Sequence, residues 1–114
     1  MENKDLVRFK HMLDSTQAIL LFTKRKKRIH LDRNRLLYSA ILREFEILGE
    51  AAGKISSKMK EKFPDIPWKQ LVGMRNRLIH AYFDVDRDIV WKTIREYLPS
   101  LLKQLEKIVD KLST

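Results

Sequence analysis

The chain has 114 residues, enough for one domain with a core of its own and too few for two, so a single domain over 1–114 is expected. Lys and Arg number 24 against 15 Asp and Glu; the resulting net charge of +9 and pI near 9.9 point to a polyanion such as RNA or to an acidic protein surface. No cysteine is present, which excludes disulfide and thiolate chemistry, and charge interrupts every apolar run well short of the roughly 20 residues of a membrane span; with no leader expected, a soluble cytoplasmic protein follows.

Hydrophobic residues make up 44% of the chain, with only three Gly and three Pro, which predicts an all-α fold. Leu6, Phe9, Leu13, Thr16 and Leu20 recur at helical spacing, predicting a first helix over 3–23. Lys24, Arg25, Lys26, Lys27 and Arg28 then break the pattern. They are either a solvated loop or a patch that contacts phosphates. Asp32 is the expected cap of a long second helix running to about residue 58, whose broad apolar stripe includes Leu37, Ile41, Leu48 and Ala52 and makes it the central element. Gly49 and Gly53 inside it suggest that another backbone approaches closely. Glu46 and Glu50 repel at i, i+4 unless cations stand nearby. Arg43 and Lys54 can serve within the helix, or Glu50 can orient a more distant arginine.

Two prolines in Phe63-Pro64-Asp65-Ile66-Pro67 end the helical run, and Pro67 opens a third helix over about 67–81. Asp86 is the expected cap of a fourth helix, Pro99 should bend or restart it, and a fifth runs to about Leu112. Its stripe is too short for a free coiled coil.

The third helix carries Arg75-Asn76-Arg77-Leu78-Ile79-His80-Ala81-Tyr82. Arg75 shares a stripe with Val72, Ile79 and Tyr82, so it is not an ordinary solvent-facing arginine. Asn76 and His80, four apart, form a second stripe. Arg75 and His80 are five apart, or roughly 140° around an ideal helix. Either the helix ends near His80 and turns the imidazole, or a second copy of the chain completes the site.

The pattern R-N-x-x-x-H-x-Y resembles the signature of the HepT-like proteins of the HEPN superfamily. Further matches are Ile47-Leu48-Gly49-Glu50-Ala51-Ala52, Ile66-Pro67-Trp68 leading into the motif helix, and Asp84-Val85-Asp86, Ile89-Val90-Trp91 and Leu98-Pro99 after it. The similarity covers about residues 36–112. It implies a homodimeric bundle of four or five helices, with Arg75 and His80 catalytic. The residues themselves suggest support from Asn76, which could orient His80 or the phosphate, from Glu50 and from Arg43. The resemblance also implies an MNT-type nucleotidyltransferase antitoxin as partner, and Tyr82 as the residue to which that partner attaches AMP. Read without the resemblance, Tyr82 is a core or interface ring.

His11 and His30 are isolated and no cluster has metal-ligand spacing, so neither metal nor cofactor is expected. No Gly-rich phosphate loop is present. The residue types suit metal-free cleavage of RNA, tRNA or mRNA for example: histidine exchanges protons near neutrality, and arginine stabilises charge on a phosphorane-like transition state. The alternatives are a non-catalytic HEPN subunit that recruits nucleotide or substrate for a nucleotidyltransferase, and a helical interaction domain with a decayed site.

Overall fold

The computed structural model describes residues 3–80 and 85–114. Its elements are α1 (Lys4–Phe22), α2 (His30–Arg33), α3 (Arg35–Lys54), α4 (Ser57–Lys62), α5 (Trp68–His80), α6 (Arg87–Lys92) and α7 (Leu98–Ser113). α3 is central, packed between α1 and α5, and α7 closes the other side of α1. One core runs through the bundle, built on Phe9, Met12, Ile19, Ile41, Phe45, Leu48, Ile94 and Leu105. No described helix is long and apolar enough to cross a membrane.

The expected second helix is interrupted at both ends. Its cap is Asn34, whose side chain accepts from Leu37 N at 3.0 Å, and not Asp32, which lies inside α2. Asp32 is diverted because Arg28 and Arg87 approach its carboxylate at 3.1 and 3.6 Å. At the far end Ile55 is extended and Ser56 caps α4. Asp5 holds that break from 51 residues away, accepting from Ser56 N at 2.9 Å and Oγ at 2.7 Å.

Asp86 does cap α6, accepting from Asp88 N at 2.8 Å. The expected fourth and fifth helices form one rod, joined by a π turn over Thr93–Tyr97. The Leu98 N–H bonds to the Thr93 carbonyl, five residues back. Pro99 explains the turn: its ring crowds the carbonyl four residues before it and offers no N–H, so widening the helix avoids a break.

Trp68 and Gly49 set the position of α5. The Trp68 ring meets Phe9 edge-on at 6.0 Å between centroids and its Nε1 donates to the Phe63 carbonyl at 3.0 Å. One turn after Leu71, α5 presses onto Gly49: a Cβ there would fall 2.5 Å from the Leu71 carbonyl oxygen and closer still to the Arg75 Cβ. At Gly53 the nearest atom to such a Cβ is Val72 Cγ2, at an ordinary 3.7 Å. The two glycines therefore predict opposite outcomes on replacement. Gly49→Ala should destabilise the fold by about 1–3 kcal/mol through overpacking. Gly53→Ala should be neutral or stabilising by up to ~1 kcal/mol through helix propensity, both measured by urea unfolding.

Candidate functional site

Only Leu71 and Leu78 of α5 are fully buried; Val72, Met74 and Arg75 are half-buried, and Asn76, Arg77, Ile79 and His80 are exposed. The Arg75 stem lies against Gly49, so its guanidinium emerges at the edge of the α3–α5 contact. Its Nη1 donates to Asn76 Oδ1 at 3.1 Å, while Nε is buried with no hydrogen-bond partner. A guanidinium presents its donors in a planar fork that suits a carboxylate or phosphate. Here one arm is braced by Asn76 and Nε still lacks an acceptor.

His80 is the last residue of α5 and is exposed. It follows Arg75 in the same unbroken helix, so the roughly 140° between them stands. Tyr82 and Asp84 lie outside the described residues. Glu50 meets Lys54 Nζ at 3.4 Å rather than Arg75, and Arg43 meets Glu46 at 3.0 Å. These two pairs relieve the Glu46–Glu50 repulsion within α3. Among the described residues no three His, Asp or Glu side chains are grouped as metal ligands would be.

The basic loop proves to be a built structure. Arg95 stacks on Trp91, 4.4 Å from the ring centroid, and its Nη2 donates to the carbonyls of Thr23 at 3.0 Å and Lys26 at 2.8 Å. His30 Nδ1 accepts from Lys27 N at 2.9 Å, and Arg25 takes a left-handed φ of 64°. Lys24, Arg25, Lys26 and Lys27 remain exposed. Arg28 is separated from them: its Nε donates to Asp88 at 2.6 Å, and its Nη1 lies 3.1 Å from Asp32 in an ion pair without an aligned hydrogen bond. Asp88 first, then Asp32, push its pKa above the ordinary arginine value.

This network was invisible in the sequence, because Arg28 and Asp88 stand 60 residues apart. It fastens α2 and the loop before it to the start of α6. Arg87, which also reaches Asp32, lies 4.5 Å above the ring of buried Tyr38.

On geometry alone, the molecule is an all-α bundle displaying an arginine with an unmet donor braced by an exposed asparagine, on a helix that ends in an exposed histidine. The family profile described as ribonuclease HepT-like matches residues 12–108. A Methanocaldococcus jannaschii protein named "Putative RNase MJ1380" is 37% identical over 107 residues, covering 93% of this chain and 98% of that one. A second from the same organism, "Putative RNase MJ0125", is 38% identical over 113 residues, 98% of this chain and 97% of its own. "Probable ribonuclease HepT" of Thermococcus cleftensis is 46% identical over 69 residues, 60% of this chain and 63% of that protein. The chain belongs to the HepT-like ribonuclease family of the HEPN superfamily. No solved structure matches it.

The site's surroundings yield a pH prediction. Burial, more than the charges of Arg87, Arg28, Asp86 and Asp32, raises the Tyr38 pKa above its ordinary value. Its phenol oxygen is buried with no hydrogen-bond partner. As pH passes about 10, Tyr38 ionises in the unfolded chain while it stays protonated in the fold, so stability falls with rising pH. Tyr38→Phe should flatten that alkaline loss while changing stability at neutral pH by no more than ~1 kcal/mol, as read from urea unfolding at a series of pH values.

Proposed function

We propose that this protein is a metal-independent endoribonuclease, the toxin of a pair whose antitoxin is an MNT-type nucleotidyltransferase, acting as a cytoplasmic homodimer on an RNA such as tRNA or mRNA. The observation that carries the reading is the half-buried Arg75 guanidinium, braced by Asn76 and holding a buried donor without an acceptor. A phosphodiester oxygen supplies that acceptor. Family membership supports the ribonuclease class, and a net charge of +9 suits a polyanionic substrate.

In this mechanism His80 takes the proton from a ribose 2′-OH as the oxygen attacks the adjacent phosphorus. Arg75 stabilises the added charge on the phosphorane through paired hydrogen bonds. The P–O5′ bond breaks and the leaving oxygen takes up a proton. The products are a 2′,3′-cyclic phosphate and a 5′-hydroxyl, and DNA, lacking the nucleophile, is inert. The 140° offset is relieved if Arg75 of one protomer faces His80 of its partner across a two-fold axis. Asn76 holds the guanidinium; Glu50 and Arg43 support it only through α3, each being paired within that helix.

Purified protein should cleave RNA in EDTA, and Arg75→Ala or His80→Ala should each lower the rate by about 100-fold or more with the helical circular dichroism unchanged. Arg75→Lys should fail as well, because an ammonium lacks the fork. Mixing the two inactive alanine variants should restore about a quarter of wild-type activity, since half the dimers then carry one complete composite site. Cleavage that requires a divalent metal would overturn the mechanism. RNA binding without cleavage would instead favour the non-catalytic HEPN subunit.

Regulation is proposed to act at Tyr82, by transfer of AMP from ATP to its hydroxyl, the phenolic proton being lost and pyrophosphate leaving. The phosphate adds negative charge close in sequence to His80 and competes with RNA for Arg75, while the adenosine fills space the substrate needs. Co-expression with the cognate nucleotidyltransferase should add AMP-sized mass increments to wild type and none to Tyr82→Phe, with nuclease activity lost on modification. Increments that map elsewhere, or an active modified enzyme, would sink this part alone.

A further inference from the structure

A groove away from the motif stands out on the opposite side of α3. It has a volume of about 400 Å³ and lies between the first half of α1 and the second half of α3, edged by Lys4, Arg8, His11 and Lys54, with Glu50 on its wall and Ile47 on its floor. Among the described residues Lys54 is paired, with Glu50, and no carboxylate pairs with Lys4 or Arg8. Asp5, the nearest acid on α1, is turned to Ser56. The groove therefore combines a positive rim with an apolar floor to which Val7, 36% exposed, contributes. Such a pairing fits a strand that carries a phosphate at each step and sugar and base faces between them.

Its place on α3 links it to the motif. Glu50 and Ile47 face the groove, while Gly49, between them in sequence, presses against Arg75. One helix, roughly 10–12 Å thick with its side chains, separates the two positions. A single strand of a few nucleotides covers that width. A second copy of the chain is a poor occupant, since a two-fold face here would oppose Lys4 and Arg8 to themselves on molecules that each carry +9.

We infer that the α1–α3 groove is a second RNA subsite, holding the phosphates of single-stranded substrate a few nucleotides from the one at Arg75. The inference rests on the ribonuclease reading for its substrate, and its test is made independent of cleavage. The probe is a fluorescent 2′-O-methyl oligoribonucleotide of about 12 residues, which cannot be cut, titrated at several salt concentrations. A Lys4→Gln, Arg8→Gln, Lys54→Gln triple variant should bind it at least about tenfold more weakly and lose about 2 units of the log K against log salt slope. The control triple Lys62→Gln, Lys107→Gln, Lys111→Gln removes equal charge from the separate groove between α4 and α7 and should stay within about twofold of wild type. Should the triple groove variant misfold by circular dichroism, Lys4→Glu alone tests the same rim.

Equal losses in both triples, or no loss in either, overturn the subsite. So does weaker binding accompanied by a changed mass in light scattering, which makes the face an interface between copies. Wild type that cleaves RNA while groove substitutions leave binding intact removes the subsite and spares the nuclease. Wild type that binds through the groove and never cleaves does the reverse, and wild type that binds no RNA overturns both.

Discussion

The missing side chain at Gly49 is the constraint on which the site depends. A glycine inside a helix costs about 1 kcal/mol relative to alanine. Here it lets α5 settle until the Leu71 carbonyl and the Arg75 Cβ occupy the space a methyl group would fill. The approach buries the Arg75 stem and leaves its guanidinium at the helix edge. Arginine tolerates this because its methylene chain packs as an apolar group while its head stays polar. The Nε donor is drawn under the surface with no partner, at a cost of about 1–3 kcal/mol for an unmet buried donor. In the proposed nuclease, a bound phosphate oxygen would recover that cost. Asn76 limits the loss by bonding Nη1, and it also holds the fork in one orientation before any ligand is present.

The excess of positive charge is divided between structure and surface. Arg28, Arg87 and Arg95 are structural: two close the ion network around Asp32 and Asp88, and the third binds two loop carbonyls while stacked on Trp91. All three are arginines, as expected where one cation must satisfy several acceptors or lie flat on a ring. Lysines dominate the exposed loop, where a flexible, strongly hydrated point charge has no fixed set of acceptors to satisfy. Exposed ion pairs of this kind add little to stability. Their contribution is positional, since they connect α2 to α6 on the downstream side of the motif.

The long elements were legible because their patterns are local. Periodicity predicted a helix over 3–23 where α1 spans Lys4–Phe22, and one over 67–81 where α5 spans Trp68–His80. Asp86 was legible as a cap because nothing else competes for it in the first turn of α6. Asp32 was misread for the opposite reason: two capping residues stand two apart, and the choice went to Asn34 because distant arginines claim Asp32. The break at Ser56 depends on Asp5 in the same way. Pro99 announced a disturbance, but whether a proline kinks, restarts or widens a helix depends on the packing around it. Arg75, Asn76 and His80 stood out in the sequence through their resemblance to the family signature, since spacing alone set Arg75 and His80 roughly 140° apart. The brace from Asn76 to Arg75, the pairing of Glu50 with Lys54 and the α1–α3 groove required the fold.

α5 differs from its neighbour in how little of it is enclosed. Eight residues of α3 are buried against two of the thirteen in α5. Ile79, on the Arg75 stripe, is left 39% exposed. A helix so thinly covered gains modest stability from its own burial and depends on a few strong attachments. Trp68 supplies one at the start and the Gly49 contact another in the middle, so the helix is fixed along one edge while its opposite face stays open. That arrangement answers two opposed demands. In the proposed nuclease, Arg75, Asn76 and His80 have to be held in register by a rigid backbone, which favours a helix over a loop, and still meet a large, charged, solvated chain, which forbids burying the helix on all sides. An edge-anchored helix meets both demands, and the glycine that seats it is therefore as much a part of the site as the arginine it positions.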